Sequence, residues 1–250
     1  MKKVITILMV LCVSVALFAA AGASVKVGGA FNFVFGGTKD FVVSGETEPT
    51  PETASQYKSS GVGFDVAGSF DLSKDLKVWA DFNMIFGFDA KFKTKDETEW
   101  SSMNEMYDEF KAIAEVLGVE AYKKLNMISA GAGVAYKLNL DAPVDVSVGG
   151  GVFFERVFGS VGFKLDDNNA GGMEFKAINL GVSLYADAAY KFSDNFGISL
   201  TAMPHFGVYN SSAIAITDIE GGTDDSYAMN AKGFSFSFSM PVSIGATYSF

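Results

Sequence analysis

From Ser24 onward apolar and polar positions alternate, and the final stretch shows it best. Phe234, Phe236, Phe238, Met240, Val242, Ile244, Ala246, Tyr248 and Phe250 fall on one parity, while Ser235, Ser237, Ser239, Ser243, Gly245, Thr247 and Ser249 fall on the other. Period two over such a length predicts a strand with one apolar and one polar face. Alternating segments recur at about 25–36, 61–72, 76–89, 127–140, 144–156, 176–192, 196–209 and 233–250, so eight strands are predicted. Their connections are long and short in turn. The long ones are about 37–60, 90–126, 157–175 and 210–232; the short ones are Ser73-Lys74-Asp75, a turn from Asp141 to Pro143, and Ser193-Asp194-Asn195. An antiparallel up-and-down barrel with tight turns at one end and loops at the other produces this rhythm.

The short turns also predict register. With Leu72 opposite Leu76, Asp71 faces Lys77 and Asp65 faces Asn83, while Phe70/Val78, Val66/Phe82 and Phe64/Met84 meet on the other face. Opposite charges and apolar pairs are what a ladder favours. Phe192 opposite Phe196 sets Ser183 against His205 and Asp187 against Thr201. In the middle hairpin either Lys137 or Asn139 faces Asp145. Pro204 and Pro241 fall inside predicted strands, where each removes a ladder donor, so bulges are expected there.

A soluble barrel of lipocalin type shares this period with its apolar face inward. Here the polar face is built from Gly, Ala and Ser (Gly131, Gly133, Ala135, Ser147, Gly149, Gly151, Ser183, Ala189), too small and too poorly charged for a solvated exterior. The apolar face carries aromatics near the short turns (Phe70, Tyr136, Tyr190, Phe192, Phe196, Tyr248, Phe250), as membrane-interface belts do. The polar side is therefore expected inside. Residues 1–23 read as a secretory signal peptide, with Lys2 and Lys3 before an apolar core and Ala21-Gly22-Ala23 at the cleavage site. About 227 residues, 24–250, then form one barrel domain. The single cysteine, Cys12, lies in the leader, which leaves no disulfide or thiolate metal site in the mature chain. Loss of Lys2 and Lys3 leaves 17 basic against 29 acidic residues, a net charge of 17 − 29 = −12, which argues against a nucleic-acid partner. No second apolar run is long enough for a membrane-spanning helix.

The terminal Ala246-Thr247-Tyr248-Ser249-Phe250, with the strand rhythm, resembles the small eight-stranded outer-membrane β-barrels, the class of OmpX, OmpW and the membrane domain of OmpA. That resemblance implies an all-β, eight-stranded antiparallel transmembrane β-barrel with four long extracellular loops, one containing a helix, in the bacterial outer membrane. It implies Tyr248 and Phe250 as the assembly signal, the barrel-assembly machinery and periplasmic chaperones as partners during biogenesis, outer-membrane lipid as the surroundings, and a monomer. It transfers a fold and not an activity.

Ionisable groups on the inward parity are Lys26, Asp65, Asp71, Lys77, Asp81, Lys137, Asp145, Glu155, Asp187 and Lys191. Such charges in a narrow lumen must be partnered; they form either a filling network or the lining of a narrow, slightly cation-favouring path. Trp79, Phe153, Tyr185 and Tyr209 are the bulky residues expected among them. The single histidine, His205, faces Ser183, the beginning of a hydrolase site, yet Asp187 is too far along its strand to complete a triad. Ser102 and Glu105 have capping-box spacing, and Met103, Met106, Tyr107, Phe110, Ile113, Ala114 and Leu117 make one stripe before Gly118, predicting a helix whose stripe packs over the mouth or the other loops as a lid, with lying on lipid or meeting a partner as the alternatives. Acidic runs mark the loops (Glu46, Glu48, Glu52; Asp166 to Gly172; Asp218, Glu220, Asp224, Asp225) without calcium-loop spacing, so no cofactor or metal is expected. The leading expectation is a non-enzymatic structural or surface-interaction protein whose loops meet an extracellular ligand. A narrow porin-like channel for small, even hydrophobic, solutes is second, and a lipid-modifying hydrolase third.

Overall fold

The structure, a computed structural model, describes residues 22–37, 42–43, 56–93, 99–138, 140, 143–165, 168–217, 227–233 and 236–250. The predicted leader, apart from Gly22 and Ala23, lies outside them. So do the acidic runs at 46–52 and 218–225, and Asp166.

Eight strands close into a ring: β1 (Ala23–Gly37), β2 (Gln56–Asp71), β3 (Leu76–Lys93), β4 (Glu120–Leu138), β5 (Val144–Leu165), β6 (Asn168–Lys191), β7 in two segments (Phe196–Ala202 and His205–Thr217) and β8 in three (Tyr227–Gly233, Ser237–Ser239 and Val242–Ser249). Each pairs antiparallel with the next, and β1 pairs with both β2 and β8, which closes the barrel. Two-residue strands at Val42–Val43 and Ser101–Ser102 attach to β8 and β3. The ladders follow the predicted register: Asp71 opposes Lys77, Asp65 opposes Asn83, His205 opposes Ser183 and Thr201 opposes Asp187. In the middle hairpin Lys137 opposes Ser147, the register of the Asn139/Asp145 alternative. Ser73 and Ser193 close their turns alike, each hydroxyl accepting the amide N–H three residues on, from Leu76 at 3.2 Å and Phe196 at 3.0 Å.

The short-turn half is apolar outside and polar inside. Val27, Phe31, Phe64, Phe86, Val152 and Leu184 face outward and are exposed, while Asn32, Asp65, Asn83, Glu155 and His205 are almost fully buried. Towards the loop end the strands run on past their predicted ends and the pattern inverts. Val157, Val161 and Phe163 on β5 and Met173, Phe175 and Ala177 on β6 are buried, whereas Arg156, Lys164 and Lys176 are exposed. The predicted loop 157–175 is thus mostly a β5–β6 hairpin whose apolar side chains point inward. It leaves the membrane and obeys the patterning of a soluble barrel.

The prolines do not produce the expected bulges. Strand pairing lapses at Pro204 and Pro241, yet the register is unchanged across each gap, because the lost donors are side by side: Met203 N–H reaches Pro241 O at 2.9 Å and Leu184 N–H reaches Pro204 O at 2.9 Å. The bulges lie elsewhere, at Val208 on β7, Phe88 on β3 and Ala170 on β6. The first flips the parity beyond it. Tyr209 consequently opposes outward-facing Leu180 and does not enter the lumen as expected, and Asn210 points inward in its stead.

Helix α1 (Met103–Leu117) starts at Ser102, whose hydroxyl accepts from Asn104 N–H at 3.1 Å and from Glu105 N–H, and ends at Gly118 in the left-handed region, φ 69°. Asp89 of β3 reinforces the start, its carboxylate accepting from the Ser102 hydroxyl at 2.9 Å and from Asn104 N–H at 3.2 Å. Replacing Ser102 by Ala is expected to cost about 1 kcal/mol of local stability. The check is faster amide exchange across 103–117 with β1 unaffected; unchanged exchange would show that packing alone fixes the helix.

Candidate functional site

The lumen is arranged in three levels. At the short-turn end a cavity of about 340 Å³ is lined by Lys26, Lys77, Trp79, Tyr185, Asp187 and Thr201 among others. Trp79 and Tyr185 stack with centroids 4.7 Å apart, and Lys77 lies 5.2 Å from the Tyr185 ring centre. Ladder partners here are not ion partners: Asp71 binds Lys137 at 2.5 Å, Lys77 reaches Asp187 at 3.5 Å, and Asp145 binds Lys191 at 2.9 Å. Barrel curvature explains the first two, since inward side chains converge towards the axis and reach past the neighbouring strand; Asp145 and Lys191 are diagonal neighbours on the adjacent strands β5 and β6.

Above the cavity, Lys26 ties four strands together. Its ammonium lies 2.8 Å from Asp65 Oδ2 and donates to Thr201 Oγ1 at 2.7 Å and Ser243 Oγ at 2.6 Å, while Thr201 donates to Asp187 at 2.7 Å. Asp81 accepts from Asn83 beside this group.

The middle level surrounds Glu155, which is completely buried. Neutral donors hold it: Asn32 Nδ2 at 3.1 Å, Asn179 Nδ2 at 2.9 Å and the Ser239 hydroxyl. Ser239 Oγ is also 3.2 Å from His205 Nδ1. The far ring nitrogen, Nε2, has no hydrogen-bond partner among the described residues. Phe153 stacks on the ring at 4.2 Å. Ser183, although opposite His205, spends its hydroxyl on Leu184 O at 2.9 Å, so no nucleophile–base contact forms.

A further triangle joins Tyr57, Asn179 and Asn210: Tyr57 Oη donates to Asn179 Oδ1 at 2.8 Å, and Asn210 Nδ2 donates to both at 2.9 and 2.8 Å. Asn32, Tyr57, Asn179, Asn210 and Ser239 carry no charge at neutral pH, so a search for ionisable residues passes over them; inward parity is the signal that finds Asn32, Asn179 and Ser239, whereas the Val208 bulge hides Asn210 and Tyr57 lies in the stretch expected to be a loop.

The outermost level is an apolar seal. Val34, Tyr57, Ile85, Met127, Val157, Val161 and Phe175 fill the barrel, and Met103 inserts from α1 with Met106, Tyr107 and Phe110 packed behind it. Met103 is fully buried, its sulfur occupying the space above Gly159, where an added Cβ would lie 2.4 Å from it. Ile113 and Leu117, expected in the same stripe, are exposed because the packed face ends at Ala114. Among the described residues no group of three or more His, Cys, Asp or Glu side chains could hold a metal ion.

No protein-family model and no curated protein matches the sequence. Solved structures do match in shape. The outer membrane protein OprG from Pseudomonas aeruginosa is similar over 92% of this chain and 96% of its own, with TM-score 0.53 and 10% identity. A major outer membrane protein from Thermus thermophilus is similar over 89% of this chain and 99% of its own, with TM-score 0.53 and 15% identity. At these identities the likeness is one of fold: that of the small outer-membrane β-barrels. It agrees with an exterior that only lipid can cover and sets the short turns on the periplasmic side and the loops outside.

Proposed function

We propose that the protein sits in the bacterial outer membrane as a monomeric, non-enzymatic barrel that acts at the cell surface through its outer loops, with a lumen that serves stability and not transport. The observation that carries this reading is the apolar seal, in which Met103 enters a barrel mouth already filled by Val34, Met127, Val157 and Phe175. Below the seal Glu155, Asn32, Asn179, Asn210 and Tyr57 are hydrogen-bonded to one another across the barrel, which supports a filled lumen. The periplasmic cavity is blind on this account. A hydrolase reading lacks support, since the Ser183 hydroxyl is turned away from His205. The closing aromatics Phe196, Tyr248 and Phe250, packed edge to face at 5.0 and 4.9 Å, suit a role for Tyr248 and Phe250 as the signal read by the barrel-assembly machinery. The loop residues that would meet a ligand are acidic, so a basic or cationic surface is the expected extracellular partner.

Planar-bilayer recording of refolded residues 24–250 tests the reading. A silent bilayer with folded, inserted protein is expected, and it is expected to stay silent when residues 101–118 are deleted, because the strand residues of the seal remain. Reproducible steps from the intact protein would establish a channel; steps from the deletion alone would make α1 its gate.

A further inference from the structure

The outer wall just beyond the apolar band is basic, although the chain as a whole is strongly acidic. Lys58, Lys91, Lys124, Arg156 and Lys176 occupy outward positions on β2 to β6, each within four residues of the last outward apolar side chain of its strand. Counted from the periplasmic end of its strand, Lys58 is 13 residues out (71 − 58), Lys91 15 (91 − 76), Lys124 14 (138 − 124), Arg156 12 (156 − 144) and Lys176 15 (191 − 176). With a rise of about 3.3 Å per residue and a tilt near 40°, these positions stand roughly 30–38 Å above the periplasmic turns. The apolar band of such barrels is about 25 Å tall, so the cations form a belt at the level of the outer-leaflet headgroups.

Two clusters stand out in that belt. Arg156 and Lys176 lie 5.9 and 5.7 Å from the centre of the same Phe158 ring, with Lys124 exposed on the neighbouring strand. Lys58 directly opposes Lys91 in the β2–β3 ladder, and Lys58 and Lys93 lie 4.2 and 5.6 Å from the Trp100 ring centre. Like charges directly across a ladder are destabilising unless a counter-charge sits between them. Acids on the same strand faces offset only part of this charge: Glu174 binds Lys176 at 2.6 Å, and Asp89, which also holds the start of α1, lies 3.9 Å from Lys91, so each cluster of three cations meets one carboxylate; Glu120 lies further out opposite Lys164.

We propose that this belt binds the phosphate groups of anionic lipids in the outer leaflet, with Lys124, Arg156 and Lys176 as one site and Lys58, Lys91 and Lys93 as the other. Phe158 and Trp100 lie where the headgroup meets the chains, and the cations close over the phosphate. The binding turns with the membrane surface and is separate from whatever the acidic loops meet above it.

Native mass spectrometry of the refolded barrel, taken from micelles containing equal phosphatidylglycerol and phosphatidylcholine, tests this. Retention of phosphatidylglycerol at about tenfold or greater preference is expected, since Glu174 offsets one of the three cations and each of the other two supplies about fivefold, and it should fall as salt rises. The triple change Lys124→Gln, Arg156→Gln, Lys176→Gln should remove most of the preference at unchanged heat-modifiable gel migration, while Lys74→Gln on a periplasmic turn leaves it intact. Should the triple variant fail to fold, Lys58→Gln with Lys91→Gln tests the second site alone. Equal retention of both lipids by the native barrel, or an undiminished preference in folded belt variants, overturns the proposal. Displacement of the lipid by equimolar inorganic phosphate would also overturn it, as a site for free anions.

Discussion

Replacing Lys26 by Met is expected to destabilise the barrel by about 3–5 kcal/mol, the loss seen when one member of a buried ion pair is removed. The methionine keeps the stem and its packing, so the loss is that of the ammonium alone. Asp65 would remain fully buried without its cation, close to Asp81, and the Thr201 and Ser243 hydroxyls would lose the donor they share. The double change Lys26→Met, Asp65→Asn should recover part of the loss, because it deletes both charges together. Denaturant unfolding of the four species in detergent measures the cycle. Additive losses would show that Lys26 does not act through Asp65.

The second large effect is expected at Glu155. Its carboxyl is held by amides and a hydroxyl, without a cation at hydrogen-bond distance among the described residues, so truncation to Ala strands the donors Asn32, Asn179 and Ser239 in the middle of the barrel. Each buried donor left unsatisfied costs about 1–3 kcal/mol, and water admitted to the gap returns some of it, so a net loss of about 3 kcal/mol is expected. Glu155→Gln should cost less, since its carbonyl still accepts while its NH₂ now faces another donor. The same unfolding measurement ranks the two; equal losses would mean that volume and not acceptor capacity matters at this position.

The barrel itself was legible because lipid imposes one rule on every strand it touches. Outward apolar and inward small or polar residues recur where the bilayer lies, with few bulky exceptions such as Trp79, Phe153 and Tyr185, and the serine turns pin two registers independently. Beyond the bilayer that constraint lapses. Val157, Val161, Phe163, Met173 and Phe175 still alternate, but with the opposite sense, and a reading tuned to one sense takes the change for the start of a loop. The bulge at Val208 was hidden for a related reason: one extra residue reverses parity, and nothing in Gly207-Val208-Tyr209 announces it. The paired prolines misled in the other direction, since the cost of each depends on a neighbour far away in sequence. Of the site, the ionisable residues could be read from parity, whereas their partners could not, because curvature matches Lys77 with Asp187 and Lys137 with Asp71 across the lumen.

The inversion of faces also divides the molecule by solvent. In the lower half, lipid covers the apolar wall whether or not side chains pack inside, so water ordering contributes little and hydrogen bonds and ion pairs carry cohesion. In the upper half, Met103, Met127, Val161 and Phe175 are withdrawn from water itself, and their cohesion carries the large heat capacity of apolar hydration. One continuous β-ladder therefore joins two materials with different thermal behaviour. Cooling weakens the grip of the seal and of α1 while leaving the polar framework beneath nearly untouched, so the part of the protein that faces the outside world is the part whose rigidity follows temperature.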